Sequence, residues 1–337
     1  MKAVALTRYL PASDPQALFD TELPVPVPGD RDILVRVEAI SVNPVDTKVR
    51  APKDNVEATP RVLGWDAAGV VVGVGSEVAN FRPGDEVYYS GDITRPGCNS
   101  ECQLVDERIV GRKPASLTFE EAAALPLTTI TAWEALYEHM GIDRRGRFRG
   151  KSLLIIGGAG GVGSIAIQLG KLAGLRVIAT ASRPETANWC ANLGADQVVN
   201  HHQPLGSQLA AAGFPQVDFI ANFTNTDAYW EVMSELIRPL GHIVCIVENS
   251  APVSLGLLKS KSVAFTWEFM FTRSMYQTPD MAEQGSILNQ LADLVDTGAV
   301  RSTLHQAFSP INAAHVLSAH RILESGKAIG KIVLSGW

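Results

Sequence analysis

Through the first third of the chain, apolar and polar residues alternate in short runs broken by glycine and proline. Residues 1–10, 33–42 and 69–74 carry this strand-like period, with Pro24, Pro26 and Pro28 between them and a turn at Pro83-Gly84-Asp85. Many short strands closed by tight turns predict a β-rich domain of Greek-key or barrel type. The pattern changes near Ser116. Ser116 and Thr118 can cap a helix; residues 119–124 begin one, Pro126 interrupts it, and residues 131–140 continue with a helical period.

From Ser152 onward the period switches back and forth between strand and helix. Leu153-Leu154-Ile155-Ile156 is wholly apolar, as a parallel strand covered on both faces must be. A glycine turn follows, then a helix over 164–173, a strand over 176–180, a helix over 185–193, and strands at 197–199 and 219–220. A helix over 228–237 and a strand over 242–247 continue the series. Strands separated by helices of this length imply right-handed crossovers and a doubly wound parallel sheet. Residues 263–271 read as its last strand. Two helical stretches, 287–295 and 311–325, precede the run Ile332-Val333-Leu334, which is too strand-like to end a helix layer and is expected to return to the first domain.

A chain of 337 residues suits two domains, and 46% hydrophobic against 19% charged residues is the balance of a folded protein. A net charge of −6 and a pI near 5.7 argue against a nucleic-acid partner, because a phosphate backbone is met by a basic face. The basic cluster of Arg144, Arg145, Arg147, Arg149 and Lys151 reads first as a solvated loop, with phosphate binding as the other reading. The first residues lack the apolar stretch of a signal peptide, and no apolar run is long enough for a bilayer, so a cytoplasmic protein with no membrane partner is expected. Four cysteines (Cys98, Cys102, Cys190 and Cys245) do not make a disulfide framework in a chain of this size.

Gly158-Ala159-Gly160-Gly161-Val162-Gly163 satisfies G-x-G-x-x-G, with an apolar strand before it and a helix after it. In that context Gly158 is expected to permit the tight turn, Gly160 to let backbone approach a pyrophosphate, and Gly163 to let the helix pack closely on the strand. The phosphates would meet the exposed N–H groups of Gly161, Val162 and Gly163 at the positive end of the helix. An NAD site would place Asp or Glu near Ala181, at the end of the next strand. Here no carboxylate occurs until Glu185, and Ser182 and Arg183 stand ready for a 2′-phosphate. The expected cofactor is therefore NADPH.

Motifs in order along essentially the whole chain resemble the medium-chain dehydrogenase/reductase superfamily, and within it the zinc-free quinone oxidoreductase-like branch. They are Ser41-Val42-Asn43-Pro44-Val45-Asp46, Leu63-Gly64-Trp65-Asp66-Ala67-Ala68-Gly69, Pro83-Gly84-Asp85-Glu86-Val87, Leu125-Pro126-Leu127-Thr128, Thr131-Ala132-Trp133, the glycine turn, and Gly330-Lys331-Ile332-Val333. The resemblance implies an α/β architecture: a GroES-like β-rich catalytic domain over 1–125 and 272–337, and a Rossmann NADPH-binding domain with a doubly wound parallel sheet over 126–271. Zinc-dependent relatives carry a ligand cysteine where this chain has Asn43, and Gly-His-Glu where it has Gly64-Trp65-Asp66. An amide is a poor zinc ligand and an indole is none, so no metal is expected. A structural zinc would take four thiols in the first domain, where only Cys98 and Cys102 fall.

The resemblance also supplies candidate site residues. Asn43 would orient the substrate or the nicotinamide edge, although a turn-forming Asn before Pro44 reads equally well. Asp46 would order that loop or relay a proton, with helix capping as the competing reading. Thr131 would hydrogen-bond near the nicotinamide, and Pro44 would lie against the cofactor. Tyr89, with Tyr88 beside it, is a candidate donor to the substrate. Trp65, Phe269 and Met270 would line an apolar substrate pocket, with Trp267 and Phe271 in the same run; burial in a sheet or subunit contact would explain that run as well. His201 would stack on adenine, the backbone of Val247 and Glu248 would face the nicotinamide half, and Lys331 would lie near the cofactor. By the same resemblance the last Rossmann strand pairs across the axis of a homodimer.

Without zinc to polarise a carbonyl, simple alcohol oxidation is disfavoured, whereas quinones and α,β-unsaturated carbonyls spread the incoming charge by conjugation. The expectation is an NADPH-dependent oxidoreductase acting on such small conjugated carbonyls or quinones. Two alternatives stand beside it: an NADPH-binding protein with a structural or RNA-associated role and no turnover, and an enoyl/acyl-CoA-type reductase, which would want a basic rim for nucleotide phosphates.

Overall fold

The computed structural model describes residues 1–337. The chain divides into two compact units, Met1–Ile130 with Phe271–Trp337, and Thr131–Met270. The first opens with β1 (Lys2–Tyr9), β2 (Phe19–Glu22), β3 (Asp32–Val42), α1 (Pro44–Arg50), β4 (Lys53–Val62) and β5 (Ala67–Val74). It continues with β6 (Glu86–Tyr89), β7 (Cys102–Asp106), β8 (Val110–Arg112), α2 (Phe119–Ala123) and α3 (Pro126–Trp133). A π-helical segment, Glu134–His139, leads into β9 (Ser152–Ile156), α4 (Gly161–Leu172), β10 (Arg176–Thr180), α5 (Pro184–Asn192) and β11 (Gln197–Val199). Then come α6 (Leu205–Ala211), β12 (Val217–Asn222), α7 (Thr226–Leu236), β13 (Ile237–Cys245), α8 (Gly256–Lys259) and β14 (Ala264–Trp267). The chain re-enters the first unit through α9 (Thr272–Tyr276), α10 (Glu283–Asp296), β15 (Leu304–Phe308), α11 (Ala313–Glu324) and β16 (Lys331–Ser335).

The first unit is β-rich. Its larger sheet runs β15-β16-β3-β5-β6-β8, with β7 also pairing β3, and a smaller sheet runs β2-β1-β4. Strand β3 is the spine: Ile33, Val35 and Val37 alternate inward, and the strand then becomes buried on both sides from Ala39 to Val42. The final apolar run returns to this sheet as expected, with β16 antiparallel to β3 and Ile332 opposite Val42.

The second unit is a parallel sheet ordered β11-β10-β9-β12-β13-β14, the doubly wound Rossmann arrangement. Strands β9 and β12 are buried at every residue, so their middles are apolar, Leu153–Ile156 and Phe219–Ala221, while the buried polar ends are paired, Ser152 donating to Asp218 at 2.8 Å and Asn222 accepting the Thr224 N–H at 3.1 Å. No helix of the chain is long and apolar enough to cross a membrane.

Three expected elements are corrected. The strand expected over 263–271 spans only Ala264–Trp267; beyond it Glu268 turns its carboxylate inward to His139, 2.8 Å away, and the chain leaves the sheet. The helix expected over 131–140 is α-helical only to Trp133 and then widens into the π-helical turn. The helix expected over 228–237 ends at Leu236, and Ile237 already begins β13; its start is fixed by Asn225, whose side chain accepts the Ala228 N–H at 2.9 Å.

Candidate functional site

In the second unit the glycine turn joins β9 to α4. Thr180, closing β10, holds the turn from below: its hydroxyl accepts the Gly157 N–H at 3.0 Å and its carbonyl the Gly158 N–H at 3.2 Å. The tight turn falls on Gly157, whose φ is +87°, and not on Gly158 as the motif implies. A Cβ at Gly158 would sit 2.7 Å from the Ala179 Cβ, so that glycine serves close approach to β10. A Cβ at Gly163 would lie 2.2 Å from the Gly157 carbonyl oxygen; the residue packs the helix start on the turn itself and not on the strand. Gly160 differs. Its Cβ would meet nothing nearer than 3.5 Å, and no side chain caps the helix it precedes. The N–H groups of Gly161, Val162 and Gly163 therefore open the first turn of α4 with no side chain capping them, an arrangement that can receive an anion.

Ser182 and Arg183, both half-buried, follow β10. Arg183 caps the start of α5 with its backbone, its N–H reaching the Thr186 hydroxyl at 3.1 Å, and its guanidinium pairs with Glu185 at 3.2 Å. The carboxylate nearest in sequence is thus held by the arginine. His201 lies just beyond β11, half-buried, its ring 4.6 Å from that of His202. Val247 lies past the end of β13 with its carbonyl accepting from the Thr226 hydroxyl, and Glu248 follows it, exposed. Thr131 is buried, Met270 is buried, and Phe269 and Trp267 are 46% and 41% exposed.

In the first unit, four of the motif residues form one buried polar cluster. Asn43 closes β3 and Asp46 lies in the first turn of α1, where its carboxylate accepts the Asn43 backbone N–H at 2.5 Å. The Asn43 amide is committed inward: its Nδ2 donates to Asp66 at 2.9 Å and its Oδ1 accepts from Lys331. Lys331, only 3% exposed at the head of β16, also donates to the Val42 carbonyl at 3.0 Å and to the Asp66 carboxylate at 2.9 Å. Asp66 Oδ1 accepts the Leu127 N–H at 2.8 Å and so caps the start of α3. Every group reaching the Asp66 carboxylate is a donor, and the Lys331 ammonium among them favours its ionised form against the upward push of burial. Asp46 is different. Burial pushes its pKa up to about 7, against the opposing pull of the Asn43 N–H and Lys331, and its Oδ1 is buried with no partner.

The turn role and the capping role read for Asn43 and Asp46 are both visible in this cluster. Pro44 follows on the surface as the first residue of α1. Trp65 is buried, donates its indole N–H to the Asp92 carbonyl at 3.1 Å and stacks edge-on against Phe271 at 6.2 Å. Tyr88 donates to the Leu288 carbonyl at 2.6 Å, while the Tyr89 hydroxyl is buried without a partner. Asp66 was missed as a site residue: its partners stand at positions 43, 127 and 331, and no local pattern announces them.

The donors present do not fit zinc. Asn43 and Trp65 offer an amide and an indole, Cys98 has a thiol pushed upward by burial, and no group of three or more His, Cys, Asp or Glu is placed to hold a metal ion.

Two family models match the chain: the alcohol dehydrogenase GroES-like domain over residues 29–132 and the zinc-binding dehydrogenase over residues 193–334. The chain is 43% identical to a zinc-type alcohol dehydrogenase-like protein of Staphylococcus epidermidis, over 99% of both chains. Its structure is similar to that of a putative zinc-dependent alcohol dehydrogenase protein from Rhizobium etli, with a TM-score of 0.95, 49% identity, and 100% of this chain and 98% of the other covered. It is also similar to Escherichia coli quinone oxidoreductase complexed with NADPH, with a TM-score of 0.83, 25% identity, and 99% and 100% covered.

Proposed function

The chain belongs to the zinc-independent, quinone oxidoreductase-like branch of the medium-chain dehydrogenase/reductase superfamily, and from that membership we propose that it reduces quinones or α,β-unsaturated carbonyls with NADPH. The observation that carries the proposal is a pairing. An uncapped helix start after Gly160, together with Ser182 and Arg183 after β10, occurs in a chain that has Asn43 and Trp65 where zinc-dependent relatives carry ligands. The NADPH complex of the E. coli quinone oxidoreductase supports the choice of cofactor and of substrate class.

When bound, NADPH supplies a hydride. The residues proposed to hold it are Gly158, Gly160, Gly161, Val162 and Gly163 at the pyrophosphate, Ser182 and Arg183 at the 2′-phosphate, His201 at the adenine, and Thr131 and the Val247 backbone toward the nicotinamide. A conjugated acceptor gathers the added charge on its oxygen, so it needs no Lewis acid, only orientation and one proton. Asp46, whose carboxyl is pushed up to about 7 by burial and whose Oδ1 has no partner within the protein, is proposed as its source, with the carboxyl reprotonated from water afterwards. Asn43 and Lys331 act through Asp46 and Asp66 in this reading, since their polar atoms are already committed to the cluster.

The test is oxidation of NADPH by purified protein with a benzoquinone, a naphthoquinone and short enones, NADH run in parallel. Turnover with NADPH, little with NADH and no loss after chelation are expected. NADPH binding with no turnover of either class would overturn the catalytic reading and favour a binding protein.

A further inference from the structure

The buried cluster contains more charge than its hydrogen bonds alone require. Asp46, Asp66 and Lys331 are all almost fully buried, and one ammonium, in contact with Asp66 at 2.9 Å, also acts on the charge of Asp46. A buried ion is tolerated only when its partners are complete. Those of Lys331 are complete: each of its three protons has an acceptor, at Val42, Asn43 and Asp66. Those of Asp66 are complete as well, at Leu127, Asn43 and Lys331. The incomplete member is Asp46, with one oxygen on the Asn43 N–H and the other on nothing.

Register decides where the ammonium goes. Ile332 faces Val42 across the β3–β16 pair, and Ser41 fixes that register by donating to the Ile332 carbonyl at 3.1 Å. A slip of one residue would turn Lys331 to the opposite face. The paired strands thus deliver a cation to the point where β3 ends, α1 begins and Asp66 caps α3.

We propose that Lys331 is a positioning residue, an internal cation that, with Asp66, holds Asn43 and the start of α1 so that Asp46 presents a proton for the reduction. This rests on the proton role assigned to Asp46 above. The groups that face Asp46 are Lys331 from β16, Asp66 from the segment before β5, and Cys98 from the loop after β6; on α1 itself Arg50 follows one turn later, with His320 of α11 beyond it. Lys331 favours the ionised form of Asp46 and Asp66 opposes it, so the two can be separated by substitution.

The experiment follows the Asp46 carboxyl directly by carbon-13 NMR in aspartate-labelled protein, assigned by its loss in Asp46→Asn, alongside the pH profile of kcat/KM. Lys331→Met is expected to raise the Asp46 midpoint by about one pH unit or more and Asp66→Asn to lower it by a similar amount. The double variant should return toward the parent, and Lys331→Arg should keep the parental midpoint. Should Lys331→Met fail to fold, Asp66→Asn and the double variant still read the same two displacements. An Asp46 midpoint unmoved by the substitutions that fold would overturn the inference. Opposite displacements without any matching movement of the activity profile would uphold the positioning role and sink the proton role of Asp46.

Discussion

At the end of β10 the chain offers Ser182 and Arg183 where a ribose 2′-hydroxyl would seek a carboxylate. A guanidinium on a phosphate is a charge-assisted contact, so Arg183→Gln is expected to weaken NADPH about 10- to 100-fold and leave NADH nearly unchanged. Calorimetric titration with both nucleotides decides it; equal losses would remove Arg183 from the 2′-phosphate. This part of the candidate site is legible in sequence because its signal lies in a few consecutive residues. Asp66 is the opposite case. It sits in plain view beside Trp65, yet its three donors come from positions 43, 127 and 331, and only folding brings them together.

The turn before α4 separates two glycines that the motif treats alike. Gly163→Ala would push a Cβ to 2.2 Å from a backbone oxygen, an overpacking worth about 1–3 kcal/mol, and should lower the melting temperature with or without NADPH. Gly160→Ala meets no such atom, so the apoprotein should melt as the parent does while NADPH affinity falls about tenfold through crowding of the phosphate. Melting curves with and without NADPH check both; a destabilised Gly160→Ala apoprotein would contradict the assignment. Other elements were less legible. Strand β4 is mostly exposed along its length, so it carries no burial period to read. Helix α1 has seven residues, and its Pro44 and Asp46 read as well for a turn. The π-helical turn keeps a helical pattern in sequence. It is held by contacts to distant residues: the Tyr137 hydroxyl donates to the Leu169 carbonyl at 2.9 Å, and His139 meets Glu268.

At the scale of the whole chain, α1 is fastened to the C-terminal helix α11. Arg50, buried to 1% exposure, donates to His320 Nδ1 at 3.2 Å and also reaches Glu324 and the Leu10 carbonyl. Burial, aided by the Arg50 charge, pushes His320 down to about 3. Its folded pKa lies below its unfolded one, so below about pH 6.5 unfolding takes up a proton that the native chain refuses. Stability contributed by this neutral histidine is therefore lost as pH falls from about 6.5, at up to about 1.4 kcal/mol per pH unit. His320→Gln keeps an acceptor for Arg50 without the titration. Denaturant unfolding at pH 7, 6, 5 and 4 should show a shallower acid decline in the variant than in the parent. Equal slopes would show that His320 does not set it.

The sequence by itself determined the features whose causes are local: the apolar run of β9, the helices between the parallel strands, the glycine turn, and the absence of an acid at the end of β10. Each of these depends on a period or on neighbours a few residues apart. The tertiary structure alone decided which glycine bends the turn and which ones a Cβ would crowd, because that is a question of which atoms approach across the fold. It also decided that Lys331 points inward, since the register of β16 on β3 aims its side chain, and that Asp46 Oδ1 is left as the cluster's one oxygen without a partner. Charges 265 residues apart carry no trace of one another in the sequence, yet inside the protein they meet at 2.9 Å.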